Sequence, residues 1–144
     1  MRLFNQNTKV EALKNAPLFQ GLSKKELTEL ARHSEDLEVP AGYVLTREGD
    51  TGQEFFVLIE GKAEVSVKGK SLGERGAGEF LGEIALLEDT KRTATLTATT
   101  PLRLFVLTRQ DFRRLVDQNP DVERKVLQTL ARRIVDLSSD PTVA

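Results

Sequence analysis

The chain has 144 residues, of which 39% are hydrophobic and 30% charged, and its formal net charge is −1. These values are typical of one soluble globular domain and exclude a general electrostatic attraction to nucleic acid or acidic membranes. The chain has no cysteine, which excludes disulfides, and one histidine, which argues against a histidine-rich metal site. Because it shows neither a signal-peptide pattern nor a membrane-spanning run, we expect a cytoplasmic protein.

Residues 1–35 are predicted to form an N-terminal helical segment. Residues 10–13 indicate a short helix that ends near the first proline. Ser23 and Glu26 have the spacing of a capping box, in which each side chain bonds the other residue's backbone N–H. The apolar residues that follow recur at helical spacing, so a second helix is predicted over 24–33.

From Leu37 onwards the hydrophobic period changes to two, which is typical of strands. Short strand patterns recur between turn signals, most of them glycine-rich. They cover Val44–Thr46, Phe55–Ile59, Ala63–Val67, Thr95–Ala98 and Leu102–Leu107. A mainly β fold with flanking helices is therefore predicted, with a jelly-roll barrel over residues 36–108.

Residues 109–138 are predicted to form two C-terminal helices. Thr108 and Asp111 can cap the first, and Pro120 suits the first turn of the second. The second helix carries an apolar stripe that ends at Leu137. This stripe has three open interpretations: it covers a ligand, packs on the barrel, or forms a homodimer seam. Residues 139–144 are interpreted as a disordered tail.

Between two of the strands lies a segment with the chemistry of an anion site. Gly82 and Glu83 precede a short apolar helical run, and Arg92 follows nine residues after Glu83. Unpaired N–H groups at a helix start attract phosphate, and glycine permits close backbone approach. An arginine fork can neutralise the phosphate, whereas the acid would have to face a neutral donor such as a ribose hydroxyl.

The pattern F-x-G-E-I-A-L-L…R-T-A in this segment resembles the phosphate-binding cassette of cyclic-nucleotide-binding domains. That family includes domains of the catabolite activator protein, protein kinase A regulatory subunits and cyclic-nucleotide-gated channels. The resemblance extends from about Leu18 to Leu137 and places the cassette at residues 78–94. One departure is Lys91, where many members have proline, which makes the loop before Arg92 less rigid.

The resemblance implies a set of ligand-binding residues. It assigns phosphate contacts to Arg92 and the cassette backbone, and a ribose 2′-hydroxyl bond to Glu83. It also implies that the last helix is a lid that places Arg133 over the base. The full candidate set is Gly82, Glu83, Ile84, Ala85, Arg92, Thr93, Ala94, Val65, Leu81 and Arg133.

The implied function is a regulatory module, not an enzyme, that binds cyclic AMP or cyclic GMP without a cofactor or metal. Its last helix would change conformation on ligand binding and signal to an unidentified protein partner in trans. Binding to nucleic acid by the chain alone, or to a membrane, is not expected. The alternatives are a degenerate domain used for protein–protein contact, or the isolated sensor of a larger transcription factor, channel or enzyme.

Overall fold

The computed structural model of the chain describes residues 6–82 and 91–138, in the predicted order of helices, strands and helices. Before the strands come α1 (Gln6–Asn15), a 3-10 turn (Pro17–Phe19) and α2 (Lys24–His33). The strands in the described ranges are β1 (Glu35–Val39), β2 (Val44–Thr46), β3 (Glu54–Glu60), β4 (Ala63–Val67), β5 (Lys70–Arg75), β6 (Phe80–Leu81), β7 (Thr95–Ala98) and β8 (Leu102–Thr108). They are followed by α3 (Arg109–Gln118) and α4 (Pro120–Ser138).

The helix ends follow the local signals in the sequence. The Ser23 hydroxyl accepts the Glu26 N–H at 3.1 Å, and the Glu26 carboxylate accepts the Ser23 N–H at 2.9 Å. The Thr108 hydroxyl accepts the Asp111 N–H at the start of α3, and Pro120 is the first residue of α4. The predicted capping box, cap and helix break are confirmed because each depends only on residues close in the chain.

The strands form two antiparallel sheets, in the orders β1-β8-β3-β6 and β2-β7-β4-β5. The predicted jelly-roll fold is confirmed, with one difference from a closed barrel. The sheets face each other as separately hydrogen-bonded layers in the described residues. Two strands at their edges are short, with two residues in β6 and three in β2, which limits pairing from one sheet to the other.

The first sheet is the middle layer of the molecule, with the helices on one face and the second sheet on the other. Successive side chains of β3 alternate between these faces, as strand geometry requires. Phe55 and Val57 belong to a helix-side core, and Phe56 and Leu58 to an intersheet core. The ring of Phe112, from α3, stacks on Phe55 at a centroid distance of 3.6 Å.

A buried ion pair joins β1 to β8. Arg103 donates from Nε to Asp36 Oδ1 at 3.1 Å and from Nη2 to Oδ2 at 2.8 Å. The two side chains are 11% and 1% exposed. The hydrogen bond to Asp36 raises the pKa of Arg103 above its ordinary value, although burial opposes this shift. Both side chains are therefore charged, and each needs the other as a partner because neither is fully hydrated.

Replacing Arg103 with glutamine should lower the free energy of unfolding by about 3 kcal/mol, because the Asp36 carboxylate stays buried without its cation. Urea denaturation of wild type and variant measures this loss. The matched control is Arg124→Gln, which breaks an exposed pair with Asp121 in α4 and should change stability by less than about 0.5 kcal/mol. Equal losses of unfolding free energy in the two variants would contradict the claim that Arg103 stabilises the buried Asp36 carboxylate.

Candidate functional site

The candidate site begins where β6 ends. This strand pairs with β3 through Leu81 opposite Phe56, and Gly82 follows with φ +86°. A Cβ on Gly82 would lie 2.6 Å from the carbonyl oxygen of Glu54 and 3.1 Å from Nη1 of Arg92. Residue 82 must therefore be glycine for two reasons: its backbone is left-handed, and its neighbours leave no space for a Cβ.

Arg92 is the buried cation of the site, with only 5% of the residue exposed. Its Nη2 donates to the Glu54 carbonyl oxygen at 2.8 Å and to the Glu54 carboxylate at 3.1 Å. Its guanidinium carbon lies 5.4 Å from the ring centroid of Phe56. A carboxylate, a carbonyl and an aromatic face together compensate part of the cost of removing this charge from water.

The second terminal nitrogen of Arg92 is not satisfied. Nη1 is buried and has no hydrogen-bond partner within the part of the chain that the structure describes. A buried charged donor without an acceptor is costly, so such groups often mark a ligand position. Because Nη1 lies beside Gly82, the described ends of the predicted cassette meet at this donor. The arrangement can bind an anionic oxygen.

A loop between β2 and β3 fixes the backbone of Arg92. Gly49 donates its N–H to the Arg92 carbonyl, and Arg92 donates its N–H to the Asp50 carbonyl, both at 2.8 Å. The side chain then lies directly against Gly52, where an added Cβ would be 1.9 Å from Arg92 Nε. The guanidinium can occupy this position only because residue 52 has no side chain.

Four other predicted ligand residues differ in their exposure to solvent. Val65 and Leu81 are buried, at 7% and 6% exposure, in the intersheet core. Ala94 is partly buried and packs against the same core, whereas Thr93 is exposed. The ordinary core role of Val65 and Leu81 is thus evident, and Thr93 is accessible from solvent. The predicted ligand residues Glu83, Ile84 and Ala85 lie outside the described residues.

Arg133, the predicted lid residue, contacts the strand that leads into the site. Its Nη2 donates to the carbonyl oxygen of Phe80, and its guanidinium carbon lies 5.0 Å from the centroid of the Phe80 ring. Phe80 belongs to the helix-side core, whereas Phe56, beneath Arg92, belongs to the intersheet core. The two arginines therefore contact rings of different cores, and the structure does not bring them together.

The apolar residues of α4 divide into two groups. Val122 and Val126 are 1% and 2% exposed in the helix-side core, and the partly buried Leu130 packs against the same core, so one side of the helix packs on the fold. Leu127, Ile134 and Val135 are more than half exposed. Packing on the sheet thus explains only part of the predicted stripe, and the side chain of Leu137 lies outside the described part.

Glu54 and Gly52 are site residues that the sequence analysis missed. A weak signal for Gly52 was present, since it is a second glycine three residues after Gly49 in the same turn. Glu54 gave no signal, because it contacts an arginine 38 residues further along the chain. Such a contact depends on the pairing of β3 with β6, which places Glu54 beside Gly82.

Two kinds of feature are absent from residues 6–82 and 91–138. No cluster of three or more histidine, aspartate or glutamate side chains in these ranges is arranged to hold a metal ion. No helix in the same ranges combines the length and apolarity needed to cross a bilayer.

Residues 36–119 match the sequence profile of the cyclic nucleotide-binding domain. This match covers most of the β region together with α3. It includes both described ends of the cassette and the loop that carries Gly52.

Individual relatives extend this likeness over most of the chain. A cyclic nucleotide-gated potassium channel of Rhizobium etli is 36% identical over 117 residues, which are 81% of this chain and 33% of the channel. A cAMP-dependent protein kinase regulatory subunit of Eremothecium gossypii is 37% identical over 113 residues, which are 78% of this chain and 25% of the subunit. The chain thus spans about a third or less of these relatives.

A solved structure shows the same fold. The structure of cAMP-bound PfPKA-R matches with a TM-score of 0.77 and 25% sequence identity. The match covers 96% of this chain and 49% of that one. It therefore includes all the layers described above, from the N-terminal helices to α4.

Replacing Gly52 with alanine should force the Arg92 side chain out of its position and lower the free energy of unfolding by about 1–3 kcal/mol, as overpacking does. Urea denaturation measures the loss. Gly76→Ala is the matched control, since a Cβ there meets nothing within 4 Å and its backbone is not left-handed. A loss at residue 52 no greater than at residue 76 would refute the claim that Arg92 rests on Gly52.

Proposed function

Since this chain belongs to the cyclic nucleotide-binding domain family, we propose that it is a regulatory domain that binds a 3′,5′-cyclic nucleotide. One observation carries the proposal: Arg92 is 5% exposed, and its Nη1 lacks an acceptor within the described residues beside the left-handed Gly82. An exocyclic phosphate oxygen of the ligand is the acceptor that this donor requires. No chemical step is needed, and the function proposed is binding, not catalysis.

In the bound state, the phosphate lies between Arg92 and the backbone N–H groups of the cassette. Glu83 then holds the ribose 2′-hydroxyl, since a carboxylate beside the phosphate donors must face a neutral group. Ile84 and Ala85 contribute backbone groups. These three assignments follow from the family resemblance of the sequence, and Gly82 is the described residue next to them.

Cyclic AMP is the proposed ligand, and cyclic GMP is the alternative. The exposed Thr93 keeps the alternative open, because its hydroxyl is free to bond the amino group of a guanine in the syn conformation. The partly buried Ala94 and the buried Val65 form the wall of the intersheet core near this position. Their contact with the base is part of the proposal.

Regulation is proposed to act through α4. The bond from Arg133 to the Phe80 carbonyl attaches this helix to the strand before Gly82. Ligand bound beside Gly82 changes the surroundings of Phe80, and so changes how strongly α4 is held. The resulting population shift requires only that the ligand prefer one position of the helix. The lid position, with Arg133 over the base, is the proposed liganded state.

The protein that responds to this movement is a further part of the proposal. The named relatives are channels and kinase subunits of which the chain spans a third or less. The domain acts either on a partner in trans or as the sensor of a larger protein. The exposed Leu127 and Ile134 on α4 offer a contact surface for such a partner or for a second copy of the chain.

Replacing Arg92 with alanine should weaken cyclic AMP binding by about 2–5 kcal/mol, which is roughly thirtyfold to several thousandfold in Kd, because the ligand phosphate loses its buried cation. Titration calorimetry with cyclic AMP and cyclic GMP measures both affinities. The control is Arg32→Ala, which removes an exposed arginine of α2 that pairs with Glu29. If the Arg92 variant binds as tightly as wild type, the phosphate assignment is wrong.

Replacing Arg133 with alanine should speed amide exchange in the second half of α4 by about tenfold, since one hydrogen bond to a charged group contributes about 1.5 kcal/mol or more. Hydrogen–deuterium exchange with mass spectrometry measures this in the absence of ligand. Arg132→Ala, one residue away and exposed, should leave the exchange unchanged. Identical α4 exchange in wild type with and without saturating cyclic nucleotide would show that this helix is not the output.

A further inference from the structure

Glu54 shares the arginine that the proposed function assigns to phosphate. Its carboxylate contacts Arg92 Nη2 at 3.1 Å, and its carbonyl oxygen accepts from the same nitrogen at 2.8 Å. The side chain is 53% exposed, so this acid lies at the solvent edge of the site while the arginine is buried. One of the two terminal nitrogens of the guanidinium therefore already has an anionic partner.

A ligand must therefore bind the other nitrogen, beside the carboxylate. Nη1 and Nη2 are attached to the same carbon, so a phosphate on Nη1 lies roughly 6 Å from the Glu54 carboxylate. At that distance each negative charge on the ligand is repelled by Glu54 as well as attracted by Arg92. The carboxylate removes part of the attraction for every charge that the ligand carries.

We propose that Glu54 is a specificity-determining residue that favours a singly charged phosphodiester over a doubly charged phosphate monoester. A cyclic nucleotide carries one phosphate charge, whereas a nucleoside 5′-monophosphate carries close to two at neutral pH. The second negative charge of the monophosphate adds little attraction to Arg92, because this arginine is shared with the Glu54 carboxylate. The inference rests on the proposed function, and it adds discrimination against the open-chain nucleotide, which is the product of hydrolysis of the cyclic phosphate.

Among the described residues, two other acids lie near Arg92 in the chain's fold, and neither forms an ion pair with it. The Glu48 carboxylate accepts the backbone N–H of Lys68 at 2.8 Å, and so is directed toward the β4–β5 turn. Asp50 meets Arg92 through its backbone carbonyl. Within the described residues, Glu54 is the acid that forms an ion pair with Arg92. A change of its charge alone should therefore alter the selection.

The test compares cyclic AMP with adenosine 5′-monophosphate on wild type and Glu54→Gln at neutral pH, with cyclic GMP and guanosine 5′-monophosphate as a parallel pair. Competition against a fluorescent cyclic nucleotide gives the Kd of each. Glutamine keeps the shape and removes the charge. Glu60→Gln is the matched control, since it removes the same charge from the far end of the same strand, near Arg103. Glu54→Ala is a second variant with the same charge change.

The ratio of the monophosphate Kd to the cyclic nucleotide Kd should fall on the order of tenfold in both Glu54 variants, a magnitude reduced by solvent screening of the half-exposed acid. It should not change in Glu60→Gln. An unchanged ratio in Glu54 variants that still bind cyclic nucleotide overturns this inference and leaves the proposed function intact. Wild type that takes up no cyclic nucleotide at millimolar concentration overturns both.

Discussion

The burial of one guanidinium organises this site. Arg92 is 5% exposed, and a charge in that position must be compensated by nearby polar groups and by space for its side chain. The Glu54 carbonyl and carboxylate provide the acceptors, Gly52 provides the space, and the Phe56 ring provides a face. Within the described residues the compensation is incomplete at Nη1, and the proposed binding function rests on that donor.

Strand β3 connects the stability of the fold to this site. It lies between β8 and β6 in the first sheet and supplies side chains to both cores. Its first residue, Glu54, contacts Arg92, and the same residue's carbonyl lies against Gly82. The site thus lies at the start of a strand whose residues 55–58 are all buried, which limits the movement of the groups that hold the arginine. The Asp36–Arg103 pair holds the neighbouring strands together on the helix side.

Helix α4 connects the site to the surface. Val122, Val126 and the partly buried Leu130 pack it against the helix-side core, and Arg133 joins its second half to β6, beside the exposed Ile134 and Val135. A helix that contacts β6 through a charged side chain can respond to changes in that strand. This arrangement supplies the mechanical basis for the proposed regulation, because Phe80 is two residues from Gly82.

The sequence by itself determined the features that depend on residues near one another in the chain. Helix ends at Ser23, Thr108 and Pro120, the apolar run of β3 and the alternation of β4 were predictable, because caps and hydrophobic patterns are local. Gly82 and Arg92 could be named as candidates for an anion site from the sequence, because the cassette is one continuous segment. The tertiary structure alone decided that Gly52 and Glu54 belong to the site, and that the two sheets remain separate layers. Those outcomes depend on which strands pair, and on which residues distant in the chain then lie beside the buried guanidinium.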